Sequence, residues 1–348
     1  MKVLFLTLYP EIAASPRYRV HQFIPHLESV GIQCTIAPAV TPQVLQNYSG
    51  PNATGRPFWY HWHETRTRKK QLRQLERYDC IFLQKAIMTA YLKGMERNLE
   101  PIAHKLVYDL DDAVHLAPPH PLGKRWSRLE DKEQVEKVLG LASLTLAGNA
   151  WLMEKVSAWC DNVKRFPTVV DTTRFVPADT TPDAYRLGWI GSPSTVNNLS
   201  PVIGMLPEWE DVQLSIIGAT RDTPHPQVSC QEWALEEEVN AIQSFSVGLM
   251  PLTPSSWNRG KCALKALQYM ACGIPCIATN FGAVQDIITH EKDGLLVNSS
   301  AEWRDAIEAL RDSAYRKALG DAARETVERK YALHQAAPRL ATLLRAYG

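Results

Sequence analysis

Two stretches of this chain hold residues whose types and spacing suit chemistry. The first is Lys261-Cys-Ala-Leu-Lys-Ala-Leu-Gln-Tyr-Met-Ala271, which runs into Cys-Gly-Ile-Pro-Cys-Ile-Ala-Thr279. At about 100° per helical residue, Lys261, Lys265 and Gln268 share one narrow stripe, while Leu264, Leu267 and Ala271 share another that faces a core. The spacing predicts one helix offering two cations and an amide, stopped at Gly273 and followed by a buried strand at 275–278. A helix start with free N–H groups favours an anion, and lysines there add to it. The ordinary alternative is a solvated surface helix. The second stretch is Lys105-Leu-Val-Tyr-Asp-Leu-Asp-Asp-Ala-Val-His115. It puts three acids at the end of a strand, the edge at which open α/β sheets bind ligands. Asp111 and Asp112 there suit an acceptor hydroxyl, against the alternative of loop or helix-cap acids. His115 is a weaker candidate beside them, and Arg17 and Arg19, after the first strand, are placed to meet a phosphate or an acidic acceptor.

Alternating elements must position these residues. Apolar runs predict strands at 3–8, 33–37, 80–83, 105–108 and 144–147, with helices at 20–30, 64–77, 86–97, 127–140 and 149–159. A second series of strands follows at 185–190, 213–217, 248–251, 275–278 and 294–297, after the polar, proline-containing stretch 177–183. This is the pattern of two α/β domains with parallel sheets covered on both faces. A chain of 348 residues, 45% hydrophobic and 22% charged, is long enough for both to bury a core. Thirty-eight basic against thirty-seven acidic residues leave a net charge of +1, which gives no general reason to bind nucleic acid. Seven cysteines at irregular spacing, with no CxxC pair, point to a reducing cytoplasm. Cys262, Cys272 and Cys276 span the predicted helix and the strand after it, and His61 and His63 lack a third ligand, so no metal site is expected. The N-terminal Lys2-Val-Leu-Phe-Leu-Thr-Leu8 resembles a leader but reads better as a buried strand, and no apolar run approaches the ~18 to 20 residues of a membrane span. One segment is strongly biased: Phe58-Trp-Tyr-His-Trp-His63 onward to Arg77 joins aromatic rings to a basic helix, a composition that suits either an anionic membrane surface or a solvated face.

With these residues in view, the chain resembles the retaining glycosyltransferase family four of the GT-B fold. The resemblance rests on the two α/β halves, on Pro167-Thr-Val-Val-Asp-Thr-Thr-Arg-Phe175, on Ala266-Leu-Gln-Tyr-Met-Ala-Cys-Gly-Ile-Pro-Cys-Ile-Ala278, and on Asp286-Ile-Ile-Thr-His-Glu-Lys-Asp-Gly-Leu-Leu-Val297. The pairing of Trp-Ile-Gly-Ser-Pro-Ser-Thr195 with Arg-Gly-Lys-Cys262 is similar to one subgroup. The resemblance implies two Rossmann-like domains facing across a cleft, an acceptor-side domain at 1–170, a donor-binding domain at 171–330, and a final segment 331–348 whose helix, at about 333–346, crosses back to the first domain. Cysteine usage thus predicts a cytoplasmic protein, and the aromatic-basic segment leaves the membrane's inner face open as a peripheral location. The resemblance also implies transfer of a sugar from a nucleoside-diphosphate sugar to a glycan, lipid-linked or small-molecule hydroxyl, with retention of configuration and without a cofactor or metal.

The departures from the family pattern matter equally. Its two glutamates, eight residues apart, are replaced by Gly260 and Gln268, and its diphosphate-clamping Arg and Lys are absent from the loop Gly191-Ser-Pro-Ser-Thr195. No basic residue occurs from 187 through 220. A departing diphosphate needs donors and positive charge. Ser192, Ser194 and Thr195 supply donors, and Arg259, Lys261 and Lys265 are the nearest cations expected on the donor half. Gln268 is expected at the ribose and Trp233 at the base, while Asp111, where the family often has a histidine, is expected near the reacting sugar with Asp112. The spelling Asp109-Leu-Asp111 also matches a metal-binding DxD, a common coincidence. Two other readings stay open: a non-catalytic nucleotide-sugar-binding or assembly subunit, and a nucleotide-sugar epimerase.

Overall fold

The computed structural model describes residues 1–48, 58–122, 124–178, 184–220 and 225–348. Of the stretch 177–183, residues 179–183 lie outside the described residues. The chain divides into two compact units: Met1–Thr168 with Gly260–Cys262 and His334–Gly348, and Val169–Arg259 with Ala263–Leu333.

The first unit is built on six parallel strands, β1 (Lys2–Thr7), β2 (Gln33–Pro38), β3 (Cys80–Gln84), β4 (Leu106–Leu110), β5 (Leu144–Ala147) and β6 (Val163–Arg165), in the order β2-β1-β3-β4-β5-β6. β3, β4 and β5 are buried along their whole length, as strands with both faces covered must be. Leu6, Ile81, Leu83, Tyr108 and Leu110 meet Ile102, Val135 and Val138 in its core. β6 was not foreseen. Its Val-Lys-Arg sequence is a partly exposed edge strand and has no apolar run to mark it.

Two helix expectations fail here. No helix occupies 86–95, because Lys85 and Gly94 both take left-handed conformations, with φ of 73° and 78°, and interrupt the turn-by-turn repeat. A 3-10 segment follows at Glu96–Lys105. The helix expected at 127–140 starts only at Gln134, because 3-10 turns at Lys124–Leu129 and a bridge from Leu92 to Glu130 come first. The last helix, Leu333–Ala346, belongs to this unit from His334 on. Arg345 donates to the Val30 carbonyl and Arg339 lies over the Phe166 ring.

The second unit has β7 (Arg186–Ile190), β8 (Gln213–Ile217), β9 (Val228–Gln231), β10 (Val247–Met250), β11 (Cys276–Thr279) and β12 (Leu295–Val297), all parallel, in the order β12-β11-β10-β7-β8-β9. Leu187, Trp189, Leu214, Val247 and Ile277 form its centre, closed by Trp303, Ile307 and Leu310 of the helix Ser300–Ala309 and the residue after it. Arg324 reaches the carbonyls of Thr172, Phe175 and Ala271 and ties the unit's first residues to its sheet-covering helices.

Candidate functional site

In the second unit the decisive helix is Leu264–Ala271, shorter than the periodicity suggested. Ala263 precedes it with φ +52°, a left-handed conformation that ends helical continuity on its N-terminal side. Lys261 is therefore not on the helix, and the single stripe of Lys261, Lys265 and Gln268 does not exist. Counting residues at 100° cannot detect one reversed φ. Lys261 also groups with the first unit, not with the donor-like half to which the sequence assigned it.

Lys265 is in place. Tyr269, one turn on, accepts from the Ile190 N–H at 3.0 Å and reaches the Leu249 carbonyl at 3.4 Å, so the helix is registered against the ends of β7 and β10. That register lays the Lys265 ammonium 4.1 Å from the centroid of the Trp189 ring and 3.4 Å from Thr195 Oγ1. The contact over Trp189 stabilises the cation by about 0.5 to 2 kcal/mol, depending on how dry it is. Gly191 makes the approach feasible, because a Cβ there would stand 2.7 Å from Lys265 Nζ and 2.6 Å from the Trp189 ring. Gly218, at the end of β8 with φ +83°, leaves room for the Gly191 carbonyl, which a Cβ would meet at 2.5 Å. Ser192 and Ser194 are exposed and share a hydrogen bond of 2.9 Å. A cation, hydroxyls and two glycine turns thus gather at the carboxyl ends of β7 and β8, the edge of a parallel sheet suited to an anion. The Arg259 guanidinium lies 4.9 Å over the Phe281 ring.

Gln268 is buried and donates to Glu238 at 3.1 Å. Trp233, only partly buried, donates to the same oxygen at 3.2 Å, and Arg174 pairs with the other at 3.0 Å. Glu238 was missed by sequence reasoning. It lies thirty residues from Gln268 in an acid-rich turn, and no local pattern marks it.

The first unit holds the other group. β4 runs out at Leu110, so Asp111 and Asp112 stand at the carboxyl edge of the sheet. Asp111 accepts from the Ser15 hydroxyl and, at 3.3 Å, from Gln84 Nε2, which also donates to Ser15 at 2.6 Å. Gln84 is fully buried, and its Oε1 has no hydrogen-bond partner. Asp112 pairs with Lys85 at 3.0 Å. Burial would raise its carboxyl, but Lys85, Lys261 and the Ala113 N–H hold it below the ordinary carboxylate value. Lys85 keeps its proton more tightly than a free lysine, because Asp112 and Asp111 outweigh the penalty of burial. Its left-handed backbone, on a residue that gains nothing from it, is strain of the kind retained at functional positions. Ser15, Gln84 and Lys85 were not anticipated, since they lie 96 and about 27 residues from the acids they meet.

Arg19 has a different task from the one expected. It is buried and grips both oxygens of Asp109, and it donates to the Phe166 carbonyl at 2.9 Å. Burial pulls its pKa down, and Asp109 more than reverses that. Asp109 is thus engaged by Arg19, while Asp111 meets Ser15 and Gln84. Arg17, also buried, donates to the Ile12 carbonyl at 3.2 Å. His115 packs against Trp151 and Trp159, with ring centroids 5.7 and 6.0 Å away, and burial lowers its pKa.

Residues 260–262 are stitched into this unit. Asn149 caps the helix Ala150–Val156 through the Leu152 N–H and donates to the Lys261 carbonyl at 3.0 Å. The Cys262 thiol donates to the Asp111 carbonyl at 3.2 Å and is kept protonated by burial. Gly260 is packed so closely that a Cβ would stand 2.6 Å from Ala113 Cβ and 2.7 Å from Ala113 N.

Residues 184–313 match the family described as glycosyl transferases group 1. The chain is 28% identical over 235 residues to a D-inositol 3-phosphate glycosyltransferase of Arthrobacter sp. (strain FB24), covering 56% of this chain and 53% of that protein. It thus spans about half the length of this curated relative. Among solved structures, sucrose-phosphate synthase from Thermosynechococcus elongatus superimposes with a TM-score of 0.70 at 15% identity, covering 99% of this chain and 98% of the other. Anabaena HepE, solved with UDP and glucose, superimposes with a TM-score of 0.69 at 14% identity, covering 99% and 100%. The fold is GT-B, two parallel-sheet α/β domains of six strands each.

Proposed function

We propose that this chain is a glycosyltransferase that moves a sugar from a nucleoside-diphosphate donor to an acceptor hydroxyl with retention of anomeric configuration. The observation that carries the reading is the Lys265 ammonium held over Trp189 beside Thr195, at a glycine-lined sheet edge within the segment similar to glycosyl transferases group 1. As the bond from sugar to diphosphate breaks, negative charge grows on the leaving group. A cation already fixed in place stabilises that charge without reorganising. Ser192 and Ser194 supply further donors. Asp111 with Gln84 and Ser15 is the group of the first unit suited to the acceptor hydroxyl. UDP-sugars are the first donors to try, because HepE was solved with UDP.

A second reading, a nucleotide-sugar-binding subunit without turnover, is favoured by one observation. Gly260 leaves no space for a side chain at a position where the resembling family carries a glutamate. Product analysis separates the readings. Purified protein with UDP-, GDP- and dTDP-sugars should release free or transferred sugar with the donor's anomeric configuration, and release should survive EDTA. Saturable binding without any product would support the second reading, and an isomerised donor would mean epimerisation.

A further inference from the structure

The helix Phe58–Leu72 has its polarity reversed. Its buried stripe is Tyr60, Glu64, Arg68 and Leu72, at every fourth residue. Glu64 accepts from the Thr89 N–H and hydroxyl, both at 2.7 Å, while Arg68 donates to the carbonyls of Ile87 at 2.8 Å, Thr7 at 2.5 Å and Ala37 at 3.2 Å. A charged pair of residues fastens the helix inward beside Tyr60 and Leu72, so its two tryptophans are not needed for packing. They face out. Trp59 is 59% exposed and Trp62 40%, edge to face at 5.9 Å, and the Arg66 guanidinium lies 5.5 Å over the Trp62 ring. Lys69, Lys70 and Arg73 continue the same exposed face. A second segment repeats the composition. The 3-10 turns Lys124–Leu129 expose Trp126 and Leu129, and Leu116 is exposed just before them. Thr89 links the two segments, since its carbonyl accepts from the His120 N–H at 2.9 Å. Five of the eight large hydrophobic residues exposed among the described residues fall in these two segments.

Indole rings beside lysine and arginine form the surface that sits among the headgroups of a bilayer carrying anionic lipid. The core of a protein interface is depleted in lysine, and a symmetric contact between two copies would bring like charges together. A nucleic-acid partner would call for a wider basic field than a chain of net charge +1 provides. No helix among the described residues is long and apolar enough to cross a membrane, so the contact is superficial. We propose that this face of the first unit seats the protein on an anionic membrane surface, independently of the reaction assigned above.

The test is co-sedimentation of the full chain with vesicles of phosphatidylglycerol and phosphatidylcholine, against phosphatidylcholine alone. Binding to the anionic vesicles that weakens with added salt is expected. Lys69→Gln with Lys70→Gln should lower partitioning about thirtyfold, from the loss of two charges near the surface. Trp59→Ser with Trp62→Ser should lower it as well. A control pair on the second unit, Lys292→Gln with Lys330→Gln, should bind as wild type does. These side chains are exposed, and unchanged thermal unfolding checks that the variants fold. Equal binding to neutral vesicles, no binding at all, equal loss in the control pair, self-association through the tryptophans, or binding of single-stranded RNA in place of vesicles would each overturn the proposal.

Discussion

Asp111 and Asp112 are adjacent carboxylates whose surroundings separate their roles. Asp111, joined to Ser15 and Gln84 and only partly buried, is suited to a substrate hydroxyl. Asp111→Asn should therefore lower kcat about tenfold to a hundredfold while leaving the nucleotide Kd nearly unchanged, the signature of an interaction made in the transition state. A folded variant with wild-type kcat would return Asp111 to a loop-stabilising role. Asp112 is engaged by Lys85, and its depressed pKa makes a statement about stability. Such a carboxylate contributes fully above its unfolded-state value near 3.8 and loses that contribution as pH falls through the lower folded value. Asp112→Asn should lower stability at neutral pH, because the mostly buried Lys85 charge loses its partner. It should also flatten the loss of stability below pH 3.8. Urea unfolding at neutral and acidic pH measures both, and parallel acid limbs in the two proteins would contradict the assignment.

At the scale of elements, the Gly260–Cys262 segment shows how a few residues can be committed by close backbone packing and two side-chain hydrogen bonds. Gly260 lies against the Ala113 backbone, so Gly260→Glu must displace either chain and should destabilise the fold by about 1 to 3 kcal/mol, without raising turnover. A stable variant with increased activity would show that the position tolerates a carboxylate and that the missing glutamate limits the enzyme. The central strands were readable as apolar runs between turn residues, because burial on both faces writes itself into composition, whereas the helix at 333–346 was expected only from the family resemblance. The segment 86–97 was read as helix from its periodicity, and no helix occupies 86–95. A left-handed Lys85 redirects the chain there, and non-glycine residues give no sequence warning of that conformation. Ala263 did the same to the lysine stripe. Of the candidate site, Lys265, Thr195, Asp111 and Asp112 were legible because they sit at strand or helix ends. Ser15, Gln84, Lys85 and Glu238 were not, since only the folded sheets bring them to their partners.

For the molecule as a whole, the consequence of that left-handed alanine is a division of labour between two lysines four residues apart. Lys261 falls in the unit built on β1–β6, where its charge helps depress Asp112, and Lys265 falls in the unit built on β7–β12, over Trp189. If the donor is bound by the second unit, the two substitutions should have separate effects. Lys265→Met removes a charge-assisted contact to the diphosphate and should weaken nucleoside-diphosphate binding about tenfold to a hundredfold, with little effect on the nucleoside. Lys261→Met should leave the nucleotide Kd within about twofold and instead alter the acceptor KM, because it changes the field at Asp112 and not at the diphosphate. Methionine keeps much of the unbranched stem in both cases and, at Lys265, the helix propensity, so packing is largely conserved. Calorimetric titration of each variant with nucleoside diphosphate and nucleoside, followed by acceptor kinetics, reads all four quantities. Equal weakening of diphosphate binding by both substitutions would show that the two lysines serve one site and that the separation drawn from the fold does not govern function.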